Sequence, residues 1–354
     1  MEVFKPMSKY GHEQVLFTRE ESVGYMGIIA IHDTTLGPAL GGCRFWNYES
    51  EQEALTDVLR LSLGMTYKAA VAGLNLGGGK SVIVGDPDMT GPRREMVFRA
   101  HGRAVETLKG RYITAEDVGT SVEDMDYVHM ETEYVVGIAG RSGDPSPVTA
   151  YGTYRGMKAC ALERYGDESL KGKVVAVQGV GHVGYYLCEN LAGEGARLIV
   201  TDISGEKVER VVDDFGAEAV RPNEIYEVDA QIFAPCALGA VVNSETIPKL
   251  KAHIIAGAAN NQLATADDAN ALQERDILYA PDYVINAGGL INVYSELADW
   301  STDRSKRKAG EIYQTLLEVF ELAREEKMTT AKAADRIAQR RIETVGTLHR
   351  SRIS

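Results

Sequence analysis

Two lysines, Lys68 and Lys80, stand twelve residues apart and could act on an anionic substrate. The second follows three consecutive glycines in the stretch Leu74-Asn75-Leu76-Gly77-Gly78-Gly79-Lys80. Because glycine has no Cβ, such a run lets the backbone approach a ligand closely. We therefore interpret the segment as a turn that directs Lys80 inward. Its amino group could bind a carboxylate there or, after losing its proton, act as a base.

Asp117 is a third candidate for chemistry, because it lies between a predicted strand and a predicted helix. The strand covers residues 112–115, and the helix begins at a capping-box pattern of Thr120 and Glu123. Ligands of open α/β sheets bind at this rim. An aspartate here is also typical of a turn or cap. The pattern of Asp117 alone leaves both roles open.

A glycine fingerprint lies in the second half of the chain, in the form Gly179-Val180-Gly181-His182-Val183-Gly184. It follows a predicted strand over residues 174–177, opens a helix, and precedes a second strand that ends at Asp202. That context is typical of a dinucleotide site, in which the helix N-terminus binds the pyrophosphate. Asp202 would accept hydrogen bonds from ribose hydroxyls and repel a 2′-phosphate, so NAD is favoured over NADP. The alternative to a dinucleotide site is a strand–turn–helix that binds no ligand. His182 within this motif does not indicate a metal site, because a lone histidine is more often a packing residue than a metal ligand.

The elements that position these residues alternate between strands and helices. In the first half, Gly64 is expected to end a helix and lead Lys68 toward a short strand. The predicted elements are a strand over 23–31, a loop over Gly37–Gly42, a helix from the Ser50/Glu53 capping box to about Leu63, strands over 69–72 and 81–84, and a helix that begins at Pro92.

In the second half, the best linker is the Gly-, Ser- and Pro-rich stretch Gly140–Pro147. The predicted elements that follow are a helix over 150–165, strands at 230–234, 253–257 and 277–280, and charged amphipathic helices after Gly310. In these last helices, Arg340, Arg341 and Arg350 suggest a solvated face or a subunit contact. The strand-end loops carry Cys236, Ala237, Ala258, Asn260 and Asn261, and Asn286 opens a further helix. Asparagines there can bind a cofactor or stabilise their own loops.

Composition limits the classes of partner. The 354 residues, 44% of them hydrophobic, suffice for two domains. A net charge of −13 argues against nucleic acid and anionic membranes as partners. The four cysteines are scattered, the histidines form no metal motif, and neither an apolar N-terminal signal nor a membrane-length apolar run is present. We expect a cytoplasmic protein without a metal.

Several motifs resemble the glutamate/leucine/phenylalanine/valine dehydrogenase family, and most closely its bacterial leucine-specific branch. The resemblance covers nearly the whole chain. It is carried by Gly37–Gly42, Gly77–Lys80, Thr114–Thr120, Pro147–Gly152 and Asn286–Gly289. It implies NAD-dependent, reversible oxidative deamination of an L-amino acid to a 2-oxo acid and ammonia.

The resemblance also implies a role for each motif residue. Lys68 would hold the substrate carboxylate, Lys80 would activate water, and Asp117 would move protons to and from the substrate nitrogen. Burial and the charge of Lys68 would favour the neutral amine that a base requires. The further substrate-binding residues are Gly41, Gly42, Met65, Gly78 and Asn261, and the further cofactor residues are Thr149, Cys236, Ala237, Ala258, Asn260 and Asn286.

Substrate choice is read from four apolar residues, Leu40, Ala115, Leu290 and Val293. The glutamate enzymes have a lysine where this chain has Leu40, so a glutamate side chain would be buried without a partner. Ala115 stands where phenylalanine enzymes often have glycine, which favours aliphatic substrates. Since one methylene is worth only about 1–3 kcal/mol, leucine, valine and isoleucine should all react, with leucine favoured weakly.

The expected architecture is α/β with two domains and an active site in the cleft. Residues 1–140 would form a substrate-binding and oligomerisation domain, to which the helices of about 330–354 return, and residues 141–329 a Rossmann-type NAD domain. The resemblance implies a homo-oligomer, an octamer. Two alternative functions are a phenylalanine-preferring enzyme of the same family and a non-catalytic NAD-binding sensor, and the joint presence of Lys68, Lys80 and Asp117 argues against the sensor.

Overall fold

The computed structural model describes residues 2–140 and 143–350 and divides into two compact units. The first comprises Met1–Gly143, Glu296–Ala298 and Ala338–Ser354, and the second comprises Asp144–Ser295 and Asp299–Ile337. Arg141 and Ser142 of the predicted linker lie outside the described residues, as does the side chain of Arg350.

The first unit is built around a mixed sheet. Its elements are α1 (Phe4–Tyr10), β1 (Gln14–Glu20), β2 (Tyr25–Asp33), β3 (Ala39–Trp46), α2 (Glu51–Val71), β4 (Gly77–Val84), α3 (Pro92–Glu106), β5 (Tyr112–Glu116) and α4 (Val122–His129). Within the described residues the strand order is β1-β2-β4-β3-β5, with β3 parallel to both β4 and β5. Helix α2 packs on one face of this sheet and α3 on the other.

Helix α2 is longer than the sequence predicted. It continues through Gly64 to Val71, so the short strand expected over 69–72 is wrong and Lys68 lies in the last helical turn. Gly64 is exposed, and a Cβ there would meet nothing within 4 Å. The helix therefore carries the cost of about 1 kcal/mol for an internal glycine. Burial of Thr66, Ala70 and Val71 on its other side offsets that cost.

The three glycines before Lys80 form strand β4, and the predicted turn is wrong. Each of them makes room for another part of the protein, and Gly78 makes room for α2. A Cβ on Gly78 would stand 2.1 Å from Thr66 Oγ1 and 2.2 Å from the Thr66 backbone nitrogen. The absence of a side chain thus lets α2 pack on β4 two residues before Lys68.

Two further boundaries differ from the predictions. The loop expected over Gly37–Gly42 is confined to its first residues, because β3 begins at Ala39 and is held on both sides by parallel partners. The predicted Thr120 cap is also wrong, because Ser121 caps α4 in a reciprocal box with Asp124. Thr120 Oγ1 instead accepts a hydrogen bond from the Asp117 backbone nitrogen at 2.8 Å.

The second unit contains a parallel sheet. Its elements are α5 (Ser146–Tyr165), β6 (Val174–Gln178), α6 (His182–Glu194), β7 (Arg197–Thr201), α7 (Gly205–Phe215), β8 (Glu218–Ala219), β9 (Ile232–Pro235), β10 (Ile254–Ile255), α8 (Asp268–Glu274), β11 (Leu278–Tyr279), α9 (Asp282–Ile285), α10 (Gly288–Leu297), α11 (Thr302–Gly310), α12 (Ile312–Glu325) and α13 (Thr330–Arg350), which ends in the first unit. Among the described residues the strand order is β11-β10-β9-β6-β7-β8. Numbered from β6, this is the 3-2-1-4-5-6 order of dinucleotide-binding sheets.

Helix α13 ends in the first unit, where Arg341 contacts the backbone of the protein itself. Of its two predicted roles, the solvated face is wrong and the subunit contact stays a prediction. Its Nη1 donates to the carbonyl oxygens of Leu74 at 2.7 Å and of Ala70 at 3.0 Å. These carbonyls belong to the end of α2 and the residues after it, where intrahelical donors are lacking. Arg341 therefore binds the end of the helix that carries Lys68.

A buried chain of hydrogen bonds crosses the core beside β4. His101 Nε2 lies 3.1 Å from Ser81 Oγ, and its Nδ1 lies 3.0 Å from Tyr25 Oη. The ring is fully buried, and this burial lowers the pKa of His101 from 6.5 to about 3. His101 is therefore neutral in the folded protein at physiological pH.

This burial predicts loss of stability in acid. Between pH 6.5 and about 3 the unfolded chain binds a proton at His101 that the folded chain does not, so stability falls as the pH falls. The slope is about 1.4 kcal/mol per pH unit for this residue. Melting temperatures between pH 7 and 5, at matched concentrations, should fall less steeply in His101→Gln, which keeps a donor and an acceptor but does not titrate. Parallel curves for the two proteins would contradict the assignment.

Candidate active site

A buried ion pair joins two of the predicted catalytic residues. Lys80 Nζ lies 2.8 Å from Asp117 Oδ2, and Lys80 as a whole is only 6% exposed. Lys80 is on β4, while Asp117 follows the last residue of β5. The separation is short enough for a proton to pass between the groups directly.

Asp117 is held in its ionised form. Burial raises the pKa of Asp117, but the charges and hydrogen bonds of Lys80 and Arg44 outweigh burial, so its pKa lies below the usual value. At neutral pH the group is a carboxylate that can accept a proton.

The turn that carries Asp117 is held against β3 by a hydrogen bond and by close packing. Thr120 Oγ1 donates to the carbonyl oxygens of Asp117 at 2.9 Å and of Cys43 at 3.1 Å. A Cβ on Gly42 would stand 2.5 Å from the Glu116 carbonyl oxygen and 2.8 Å from Asp117 Cβ. Packing against the Asp117 turn therefore requires glycine at position 42, in addition to the substrate contact that was predicted for Gly42.

The other predicted substrate residues of the first unit lie on the same sheet and on α2. Leu40 pairs with Gly78 of β4, and Ala115 of β5 pairs with Gly42. Leu40 is 2% exposed and Ala115 is 9% exposed, which suits an apolar lining. The remaining ones are Gly41 on β3 and Met65 and Lys68, both half-buried, on α2.

The glycine fingerprint of the second unit lies at the point where the strand order reverses, between β6 and β9. Gly179 has φ +96°, and a Cβ there would stand 2.6 Å from that of Ala237. A Cβ on Gly184 would stand 2.1 Å from the Gly179 carbonyl oxygen. These two glycines bring Cys236 and Ala237, which follow β9, against the fingerprint loop. Val180, His182 and Val183 complete that loop and the first turn of α6.

Gly181 and Asp202 fit a dinucleotide. A Cβ on Gly181 would meet no protein atom within 4 Å, so internal packing does not require glycine there, whereas a closely approaching phosphate would. Asp202 follows β7 and accepts a hydrogen bond from the Val180 backbone nitrogen at 2.8 Å. Its carboxylate is thereby fixed beside the loop, with lone pairs left for ribose hydroxyls.

A second group of predicted cofactor residues meets around Asn286, which is 3% exposed. Its Nδ2 donates to Asn260 Oδ1 at 2.7 Å and to the Ala258 carbonyl oxygen at 3.1 Å. Among the described residues its Oδ1 has no hydrogen-bond partner, which is unusual for a buried polar atom. A carboxamide donor of a bound cofactor would satisfy it.

The remaining predicted site residues of the second unit are Thr149, Asn261, Leu290 and Val293. Thr149, on α5, donates to the Pro145 carbonyl oxygen at 2.9 Å and packs against Gly288 at the start of α10. Asn261 has φ +50°, a left-handed conformation that asparagine tolerates better than most residues. Leu290 and Val293 lie on α10.

Arg44 is the residue that the sequence analysis missed. Its Nε donates to Asp117 Oδ2 at 3.2 Å, and its Nη1 donates to Asp57 Oδ2 at 2.8 Å. A signal existed: strand periodicity puts Leu40, Gly42 and Arg44 on one face of β3, so a charge was directed to the side of the substrate residues. Its partner on α2 was not apparent from the sequence.

The described part of the chain contains neither a cluster of metal-ligating side chains nor a helix able to span a membrane. Within 2–140 and 143–350, no group of three or more His, Cys, Asp or Glu side chains is arranged to hold a metal ion. None of the helices in these ranges has the length and apolar character needed to span a membrane.

Comparison with known proteins identifies two family domains in the chain. Residues 12–134 match the Glu/Leu/Phe/Val dehydrogenase dimerisation domain, and residues 200–348 match the Glutamate/Leucine/Phenylalanine/Valine dehydrogenase domain. A leucine dehydrogenase of Geobacillus stearothermophilus is 58% identical over 98% of this chain and 94% of its own length. A phenylalanine dehydrogenase of Lysinibacillus sphaericus is 47% identical over 94% of this chain and 89% of its own.

A solved structure, the L-tryptophan dehydrogenase of Nostoc punctiforme, superposes with a TM-score of 0.88 at 47% identity and covers 97% of this chain and 99% of its own. The matched domains, the relatives of nearly full length and the shared fold lead to one conclusion. The chain belongs to the glutamate/leucine/phenylalanine/valine dehydrogenase family.

Proposed function

We propose that the protein catalyses the NAD-dependent, reversible oxidative deamination of branched-chain L-amino acids. The reaction converts the amino acid, NAD⁺ and water into a 2-oxo acid, ammonia, NADH and a proton. The buried Lys80–Asp117 pair, 2.8 Å apart, carries the proposal, because this chemistry requires a base and a proton carrier side by side. Family membership and relatives that are named leucine dehydrogenase support it.

The residue roles follow from the order of proton transfers. Lys68 holds the substrate carboxylate as an ion pair. Bound NAD supplies the acceptor for the hydride that leaves the α carbon. Neutral Lys80 then takes a proton from the water that attacks the resulting iminium carbon. Asp117, in contact with Lys80, passes protons to the nitrogen, so that the C–N bond breaks and ammonia leaves.

The family is NAD(P)-dependent, and the preference for NAD is part of the proposal. Gly179–Gly184 would bind the pyrophosphate, and Asp202 would bind the adenosine ribose. The carboxylate of Asp202 is fixed by the Val180 amide, so a 2′-phosphate would meet a negative charge that cannot turn away. Asn286 and Thr149 would bind the nicotinamide carboxamide. This assignment is supported by the buried Asn286 Oδ1, which has no hydrogen-bond partner in the described part of the chain.

The proposed substrate pocket is apolar. Its proposed lining residues are Leu40, Ala115, Leu290 and Val293, and Asn261 is the proposed contact of the substrate amine. Position 40 is a leucine where the glutamate enzymes have a lysine, so it offers no charge to a glutamate side chain, and Ala115 would narrow the space for a ring. A broad preference for leucine, valine and isoleucine follows, since size differences of one methylene discriminate weakly.

Assembly, location and domain roles belong to the same proposal. The first unit would bind substrate and form the subunit contacts of an octamer, and the second would bind NAD. The match of residues 12–134 to a dimerisation domain supports a homo-oligomer. The described cysteines are free thiols, and this supports a reducing, cytoplasmic compartment.

A substrate panel tests the proposal. NADH formation would be followed with L-leucine, L-valine, L-isoleucine, L-phenylalanine and L-glutamate, each with NAD and with NADP, and compared by kcat/KM. We expect the three branched-chain amino acids with NAD to be the best pairs. A higher kcat/KM for L-phenylalanine would refute the pocket argument from Ala115. Binding of NADH without turnover of any amino acid would identify a sensor instead.

The proposed base also predicts an alkaline pH profile. Both Lys80 and the substrate amine must lose a proton before deamination, so kcat/KM should rise between pH 7 and 9, by at most about a hundredfold per pH unit. Initial rates in overlapping buffers at constant ionic strength measure this. Preincubation at each pH, followed by assay at one reference pH, controls for inactivation. A rate independent of pH over this range would count against the scheme.

A further inference from the structure

One guanidinium group connects Asp117 to helix α2. Arg44 lies near the end of β3, where its Nε binds Asp117 Oδ2 and its Nη1 binds Asp57 Oδ2, at 3.2 and 2.8 Å. The Arg44 side chain is 20% exposed and that of Asp57 is 14% exposed. Because a guanidinium is planar and binds through a rigid fork, fixing one side of it orients the other.

Asp57 is itself held in place by two groups besides Arg44. Its Oδ2 accepts a hydrogen bond from Tyr48 Oη at 2.9 Å, and its Oδ1 accepts one from Arg60 Nη2 at 3.1 Å. Arg60 is 55% exposed, so water screens its charge. Asp57 is therefore a fixed anchor for Arg44, and Arg60 is a peripheral member of the same cluster.

Arg44 and Lys80 bind the same oxygen of Asp117. Lys80 Nζ lies 2.8 Å from Oδ2 and Arg44 Nε lies 3.2 Å from it. The carboxylate thus divides its charge between two cations. Other titratable or charged groups lie around this cluster: Cys43 on β3, Tyr112 and Glu116 on β5, Asp124 on α4, Tyr48, and Asp57 and Arg60 on α2.

Coulomb interactions give the sign of Arg44's effect on Lys80. A nearby positive charge disfavours the ammonium form, and a nearby negative charge favours it. Arg44 contributes a positive charge and also takes up part of the negative charge of Asp117. Without Arg44, Asp117 would act on Lys80 alone, and Lys80 would keep its proton to higher pH. Without Asp57, Arg44 would lack its counter-ion, and Lys80 would release its proton at lower pH.

We propose that Arg44, anchored by Asp57, is a positioning residue that sets the pH at which Lys80 becomes the free amine. The inference rests on the proposed function, in which the free amine of Lys80 is the base. Arg44 acts through Asp117 and touches neither substrate nor cofactor in this scheme.

The test compares pH profiles of deamination for three variants with the wild type. In Arg44→Gln the pH of half-maximal kcat for L-leucine should rise by at least about 0.5 unit, and in Asp57→Asn it should fall. Arg60→Gln is the matched control, because it removes an exposed arginine of the same cluster that does not bind Asp117, and it should leave the midpoint within about 0.2 unit. Arg44→Lys, which restores the charge without the fork, should recover part of the shift.

A second readout does not depend on activity. The rate at which acetic anhydride labels Lys80 at each pH reports its free amine, and mass spectrometry of the peptide follows it, with exposed Lys5 as internal reference. The labelling midpoint should shift in the same directions as kcat. Midpoints that are unchanged in Arg44→Gln and Asp57→Asn, with kcat lowered equally at every pH, would overturn the proposal and leave Arg44 a purely structural residue.

The two readouts separate the inference from the function on which it rests. A wild type that labels as expected but forms no NADH would refute the proposed function while the electrostatic role of Arg44 stands. If Arg44→Gln does not fold, the proposal is tested by the direction in which the pH midpoint shifts in Asp57→Asn. A midpoint that stays in place or rises in that variant contradicts the proposal.

Discussion

Replacing Lys80 with alanine is expected to lower kcat for L-leucine deamination by about 10²–10⁴-fold, the range that a positioned general base contributes. Water would no longer lose its proton to an amine beside the iminium carbon, and Asp117 would lose its partner at 2.8 Å. NADH binding should stay within about twofold of the wild type, because the fingerprint lies in the other unit. Steady-state kinetics and NADH fluorescence titration measure the two quantities.

Lys80→Arg is the matched variant for this prediction. It keeps a positive charge for Asp117, but a guanidinium does not lose its proton in this pH range. If Lys80 acts as a base, the arginine variant should be about as slow as the alanine variant. Retention of more than about a tenth of wild-type kcat by Lys80→Arg would show that charge, and not proton transfer, is what Lys80 supplies.

Replacing Gly78 with alanine should destabilise the first unit by about 3 kcal/mol or more, at the upper end of overpacking effects. The added Cβ would stand 2.2 Å from the Thr66 backbone nitrogen and 2.5 Å from the Ser62 carbonyl oxygen. Backbone atoms cannot rotate away, so α2 would have to move. The melting temperature should fall by roughly 6–12 °C in scanning fluorimetry. Protein that still folds should show a raised KM for L-leucine, because Lys68 lies on the displaced turn.

Gly64→Ala is the control, since it makes the same chemical change in α2 itself. A Cβ at Gly64 meets nothing within 4 Å, and the position is helical and exposed. Alanine there should stabilise the protein by roughly 0.5–1 kcal/mol and raise the melting temperature slightly. Equal melting temperatures for the two variants would mean that Gly78 does not hold the α2–β4 contact.

The dinucleotide fingerprint was predictable because its information is local. The strand before Gly179, the helix from His182 and the strand before Asp202 all formed where the sequence predicted them. Each follows from short-range rules: β-branched residues favour a strand, and Gly179 permits the turn at φ +96°. Motifs along the chain also predicted the family, the two-domain α/β class and an amino-acid dehydrogenase, and these predictions are confirmed.

Arg44 was not predictable in the same way. Its partners, Asp57 and Asp117, are 13 and 73 residues distant in sequence. Strand periodicity indicates the face to which Arg44 points, but the register of β3 beside β5 decides which carboxylate it meets. That register results from packing the whole sheet.

The glycine run before Lys80 shows the same division. The sequence by itself determined that glycines were required there and that Lys80 would be directed inward. Only the tertiary structure decided why: the run is a strand, and helix α2 occupies the space that a Cβ on Gly78 would need. Local propensity cannot distinguish a closely packed helix from a closely bound ligand, because both exclude a Cβ. The neighbour that fills the space comes from distant parts of the chain, and its position depends on how the core packs as a whole.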